Sequence, residues 1–106
     1  IELWVPTLRS LPPGSPGAIW HSEAGYIGLD LYDPLNQQVV SHHFTFGEGR
    51  DARLERSPHR YIWPAELDLM GKLAGFELES RHADWAGAPF TADSPSHVSV
   101  YRLTNA

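Results

Sequence analysis

The sequence predicts an α+β fold: a mostly antiparallel sheet built as a hairpin insertion, then one helix, then a C-terminal antiparallel strand pair. Three observations carry that reading. Period-two alternation of apolar and polar residues recurs in separate segments, as half-buried strands require. A single segment places apolar residues at helical spacing. Nine Gly and nine Pro among 106 residues interrupt the chain too often for long helices.

Composition narrows the class. The length admits one domain, so residues 1–106 are expected to form a single globular fragment. With 42% apolar and 20% charged residues the chain has enough core material to fold. Thirteen acidic against eight basic side chains give a net charge of −5, and the basic residues never cluster, so no nucleic-acid partner is expected. The absence of cysteine excludes disulfides, thiolate nucleophiles and cysteine-ligated metals. No apolar stretch approaches the ~20 residues of a membrane span, and no signal-peptide pattern opens the sequence. No membrane contact and a cytoplasmic location are therefore expected.

Taken in order, Ile1–Val5 reads as a strand without a beginning, and the chain as a fragment. Thr7–Gly17 carries three prolines and two glycines and reads as a connector without regular structure. Ala18–His21 is a short apolar run. Tyr26–Tyr32 alternates, with Ile27, Leu29 and Leu31 on one face. Asp33-Pro34-Leu35-Asn36 suits a type I turn into a second strand, Gln38–Phe46. There Val40, Phe44 and Phe46 place His42 on the expected buried face, and His43 on the exposed one. Gly47-Glu48-Gly49 is the next turn, and the charged Arg50–Arg56 reads as an edge strand. Pro64 opens a helix to Ala74, with Glu66 and Asp68 in its first turn, an apolar stripe of Leu67, Met70, Leu73 and Ala74, and Gly75 as its stop. Phe76–Ala83 and His97–Leu103 alternate again, the former with Glu77, Glu79 and Arg81 outward. The long loop between them, Asp84–Ser96, carries Trp85 and Phe90, expected to be buried beside a site. Residues 1–62 then form an antiparallel part, and residues 63–106 the helix with the terminal strand pair.

Tests for chemistry mostly return exclusions. The six histidines show no metal-ligand spacing, since the adjacent His42 and His43 point to opposite faces, so no metal site is expected. Gly-x-Ser-x-Gly and Gly-x-Gly-x-x-Gly are both absent, and no acid/base pair stands out, which leaves catalytic residues unassigned. What remains is a band of His59, Arg60, Tyr61 and Trp63 ahead of the helix, together with His42. Tyr61 and Trp63 suit either core plugs or pocket walls, and Arg60 either an anionic ligand or a carboxylate of its own chain.

The stretch from Arg60-Tyr61-Ile62-Trp63-Pro64-Ala65-Glu66-Leu67 to Leu73-Ala74-Gly75-Phe76 resembles a signature near the C-terminus of class I S-adenosylmethionine-dependent methyltransferases. Ala83-Asp84-Trp85, Pro89-Phe90-Thr91 and Ser96–Val100 are similar to the ending of that superfamily's small-molecule enzymes. The resemblance implies the C-terminal half of a Rossmann-like methyltransferase, with Ile1–Val5 as a remnant core strand and residues 18–57 as the hairpin insertion that covers the substrate. It further implies S-adenosylmethionine in the parent enzyme but no cofactor bound by this chain alone, because the glycine-rich loop and ribose-binding acid lie upstream in such proteins. Substrate contact is then expected from His42, His59, Arg60, Tyr61 and Trp63, with His42 or His59 as a base toward a hydroxyl acceptor. Unpaired strand edges and the bare helix stripe imply a homodimer or a strand-exchanged dimer. The rival reading is a stand-alone small-ligand-binding module without catalysis.

Overall fold

A computed structural model describes every residue except Glu48, Arg50, Asn105 and Ala106, so parts of the expected 47–49 turn and of the strand start at 50 lie outside the described residues. The elements are β1 (Glu2–Trp4), β2 (Gly17–Glu23), β3 (Tyr26–Asp33), β4 (Gln38–Phe46), β5 (Ala52–Arg60), α1 (Pro64–Leu73), β6 (Phe76–His82) and β7 (Ser96–Leu103). The fold is α+β, mostly antiparallel, with one α-helix among the described residues. That helix is neither long nor apolar enough to cross a membrane. The chain forms two compact units: Leu8–Tyr61, and Ile1–Thr7 together with the chain from Ile62 onward. The first seven residues belong with the latter because β1 pairs with β7.

The Leu8–Tyr61 unit is a four-stranded antiparallel meander in the order β2-β3-β4-β5. The connector before it is not wholly irregular, since Leu8–Ser10 makes one 3-10 turn. Asp33 holds the β3–β4 turn as expected, its Oδ1 accepting from the Leu35 and Asn36 amides at 3.1 and 3.3 Å. Gln37 closes that turn at φ 51°, in the left-handed region. β5 runs further than expected, to Arg60. It accommodates Pro58 because it lies at the edge, where a missing N–H breaks no ladder bond.

The facing of β4 corrects the sequence reading. Val39 is fully buried and Ser41 nearly so, whereas Val40, His42 and Phe44 are half-buried and Phe46 is exposed. Val39 and Val40 are both apolar, so alternation alone did not decide which face is covered. The neighbours decide it: Tyr32 pairs with Val39, and the Tyr61 ring meets Tyr32 edge-on at 5.9 Å on the same side.

In the other unit β7 lies between β1 and β6, antiparallel to both, so β1 and β6 run parallel to each other. The start of β7 is thus paired on both edges, by β6 and by Ile1–Trp4, where an unpaired edge was expected, because one strand returns between the other two; β1 and β6 are the outer strands. α1 matches the predicted helix: Pro64 is its first residue, and Gly75, at φ 91°, stops it in a conformation that a side chain disfavours. Its stripe is only partly covered, with Leu67 buried, Met70 half-exposed and Leu73 turned to solvent.

Each sheet contains one bulge. In β2 the register passes from Ile19↔Leu29 to His21↔Gly28, leaving Trp20 as the extra residue. In β6 it passes from Leu78↔Tyr101 to Ser80↔Val100, leaving Glu79. An extra residue reverses the facing of the strand beyond it. The Trp20 indole lies directly on Gly28, where any Cβ would collide with its ring atoms. Gly28→Ala is therefore expected to destabilise the chain by about 1–3 kcal/mol, read as a lowered melting temperature with displacement of the Trp20 indole N–H resonance.

Candidate functional site

The polar face of the four-stranded sheet is built from odd positions of β4 and even positions of β3, which the register sets opposite one another. Gly28 leaves a gap in that face, and the bulge turns Trp20 into it. The indole Nε1–H then donates to Asp30 Oδ1 at 2.9 Å, and Ser41 Oγ–H donates to the same oxygen at 2.6 Å. Tyr26 Oη and His43 Nδ1 are 2.6 Å apart, a phenol and an imidazole sharing one proton position. The Trp20 ring stands edge-on to Tyr26 and His43, at 6.1 and 5.8 Å, and His21 joins them at 6.1 Å from Trp20. A carboxylate held by two neutral donors beside several rings can offer a small ligand both a charge and an aromatic surface.

The predicted contact residues divide between places. Tyr61 is buried against Tyr32, and His59, exposed, faces the same side, its Nε2 2.8 Å from Ser57 Oγ. Arg60 alternates to the opposite side of β5. His42 also lies on that opposite, more apolar face, its Nδ1 3.1 Å from the Val40 carbonyl and its ring stacked on Phe44. The expected grouping of His42 with Tyr61 is therefore corrected: consecutive strand positions alternate, and Tyr61 takes the side of Val39. Trp63 belongs to the other unit, where it precedes α1 half-exposed. Of the five, the structure brings His59 and Tyr61 to one face. His43, expected in solvent, is half-buried in the aromatic group. Sequence reasoning missed Trp20, Asp30 and His43. The available signal was Gly28, a residue without a side chain in the middle of an alternating strand.

The second unit holds a buried polar network. Beyond the Glu79 bulge Arg81 turns inward instead of outward and faces Ser99. Its Nε–H donates to Ser99 Oγ at 2.8 Å, and its Nη2 and Nη1 donate to Asp68 at 2.6 and 3.2 Å. Tyr101 Oη also donates to Asp68, at 2.6 Å. Ser99 Oγ, which accepts from Arg81, also lies within hydrogen-bond distance of His97 Nδ1, 2.7 Å away. The other ring nitrogen, His97 Nε2, is the one buried side-chain polar atom without a partner among the described residues. Phe90 packs edge-on against His97 at 5.9 Å and under Arg81, while Trp85, expected to be buried with it, is exposed and donates to Glu2.

These contacts set the charges. The Arg81 hydrogen bonds hold the Asp68 carboxyl below its usual range. Burial and the hydrogen bond to Asp68 push the Tyr101 phenol up to about 12. Burial, with the Arg81 charge, lowers the His97 imidazole. Beside the network a cavity of about 530 Å³ opens between α1 and the sheet, lined by Leu67, Met70, Gly71, Phe76 and Tyr101 among others. Its hydroxyl-bearing walls, Ser99 and Tyr101, are already engaged in the network. Among the described residues no cluster of histidine and carboxylate side chains could hold a metal ion.

No protein-family model matches this chain, and no curated protein matches it. Among solved structures it is similar to the CcbJ methyltransferase from Streptomyces caelestis, with a TM-score of 0.80 and 39% identity over 97% of this chain and 44% of that one. The chain spans less than half the length of that protein. It is thus similar, in sequence and in fold, to a portion of a methyltransferase.

Two outcomes follow from the network. Arg81→Met removes the cation from Asp68 and the donor from Ser99, so it should cost about 2–4 kcal/mol in denaturant unfolding. His97 binds a proton less readily folded than unfolded, so the unfolded state takes up the extra proton and stability falls as the pH drops through about 6.5. Urea midpoints measured between about pH 7.5 and pH 5 should fall, and fall less in His97→Gln.

Proposed function

We propose that this chain is the substrate-covering and C-terminal portion of a class I S-adenosylmethionine-dependent methyltransferase acting on a small molecule. The observation that carries the reading is the likeness to the Streptomyces caelestis methyltransferase over 97% of the chain at 39% identity. The strand order β1-β7-β6, with a reversed strand between two parallel ones, supports it as well, because it suits the end of a parallel nucleotide-binding sheet extended by a returning strand.

The cavity between α1 and the sheet does not fit the methyl donor. The 530 Å³ cavity is apolar, and its two hydroxyl groups are engaged within the chain, so nothing there answers the donor's charged amino-acid end or its ribose. The chain's own contribution is on the acceptor side. The polar face of the four-stranded sheet, with His59 and Tyr61 at one end, would orient the acceptor and exclude water while the donor is held elsewhere. His59, exposed with its Nε2 against Ser57, would then serve as the base that takes the acceptor's proton.

A chimera in which this chain replaces the matching portion of the Streptomyces caelestis enzyme tests the reading. The chimera should fold, bind S-adenosylmethionine by calorimetry and transfer methyl to that enzyme's own acceptor. A chimera that melts cooperatively but binds no donor would overturn it. Within the active chimera His59→Ala should lower kcat on the order of 10²-fold, with an unchanged melting temperature because His59 is exposed.

A further inference from the structure

We infer that Trp20 and Asp30 form a binding site for a small organic cation, a protonated amine on an apolar frame. The inference goes beyond methyl transfer and does not rest on it, because binding a cation needs no methyl donor.

The argument begins with the bulge in β2. An extra residue at Trp20 aims its side chain out of the strand's ordinary alternation, and Gly28 opposite gives the indole a seat on bare backbone. One face of the ring is thereby covered, while the residue as a whole stays 50% exposed. The edge of the indole is pinned by its bond to Asp30, and Tyr26 and His43 stand edge-on to it. A tryptophan fixed in this way presents its π-face to solvent at little further cost in ordering.

Asp30 supplies the charge. Both of its hydrogen bonds come from neutral donors, Trp20 and Ser41, and both fall on Oδ1. Oδ2 is not a buried orphan, as the single such side-chain atom among the described residues is His97 Nε2. A half-buried carboxylate held in place by neutral donors, with its second oxygen accessible and a π-face beside it, matches the two demands of an alkylammonium group: a hydrogen-bonding anion and an aromatic surface for its carbon frame. The other titratable groups on this face are Tyr26 and His43, which bind each other, His21, 3.5 Å from Glu23, Glu55, which pairs with Arg53 at 2.8 Å, His59 beside Ser57, and the phenols of Tyr32 and Tyr61, so the one full positive charge among them is already paired. The uncompensated charge is therefore negative. An anionic ligand would meet Asp30, and a neutral ring would leave its charge unused.

The test is a titration of the 106-residue chain, labelled with nitrogen-15, with piperidinium chloride at constant ionic strength. The Trp20 indole N–H is identified by its loss in Trp20→Phe. It should shift saturably, with a midpoint on the order of 10 mM for so small a probe. Tetrahydropyran, the same ring without the charge, should leave it in place. Asp30→Asn keeps an oxygen that accepts from Trp20 and Ser41 and removes only the charge, so it should weaken binding at least about fivefold. The inference is overturned by the absence of a saturable shift, by an equal response to tetrahydropyran, or by undiminished binding in Asp30→Asn. Should that variant unfold, nuclear Overhauser contacts between piperidinium ring protons and the Trp20 indole in the unaltered chain decide the matter, and their absence overturns the inference.

Discussion

A strand can present a side chain to only one of two faces, and a single extra residue reverses the choice for everything beyond it. Both sheets depend on this constraint. Without the extra residue at Glu79, Arg81 would point away from Ser99 and α1, and Asp68 would be left beside the phenol of Tyr101 with no cation. Without the one at Trp20, the indole would have no route onto Gly28 and Asp30 would lose one of its two donors. In each sheet the irregular residue positions a polar group more than it perturbs the ladder.

The network around Arg81 fastens one unit. The guanidinium bonds to the side chain of Asp68 on α1, to Ser99 and Tyr101 on β7, and through its backbone it belongs to β6. Three elements therefore meet on one cation, and the helix is held to the sheet by geometry as well as by apolar area. That matters in a helix whose only buried residue is Leu67. Gly71 permits the approach: a Cβ there would stand 3.4 Å from the Tyr101 ring, so a larger side chain would force the helix outward and lengthen the Asp68 contacts. A stretched pair would expose Asp68 to water and weaken the attraction that offsets its burial.

The elements were legible where composition and period agreed. Pro64 and Gly75 bracket α1 as first residue and stop, and Asp33 with Asn36 forms the expected turn. The strands at 26–33, 38–46, 76–82 and 96–103 fall where alternation placed them. Facing was less legible. In β4 two adjacent valines make both faces apolar, and only the aromatic pair Tyr32 and Tyr61, brought together from separate strands, covers Val39. In β6 alternation was extrapolated through Glu79 and so turned Arg81 outward, because no local property of Glu-Ser-Arg announces an extra residue. The candidate site suffered most: His59 and Tyr61 share a face, but His42 does not, and Trp20, Asp30 and His43 assemble only through cross-strand register. Of these, only Gly28 left a mark in the sequence that local reasoning could have used.

The two polar clusters differ in a way that separates structure from recognition. Around Arg81 nearly every donor finds an acceptor within the chain. Asp68 is paired with a cation, Tyr101 is locked as a phenol, and Ser99 is engaged by both Arg81 and His97. A cluster satisfied so fully has little left to offer a ligand, and its single orphan, His97 Nε2, is sealed behind Phe90. Around Trp20 the balance is reversed. Asp30 keeps its charge uncompensated, and the indole keeps a face toward water although the neighbouring backbone has been cleared to hold it. Folding alone gains little from fixing a half-exposed indole against a bare glycine beside a carboxylate with no cation, since each group keeps much of its contact with water. The satisfied cluster belongs to the stability of its sheet, and the unsatisfied one is where this chain meets another molecule.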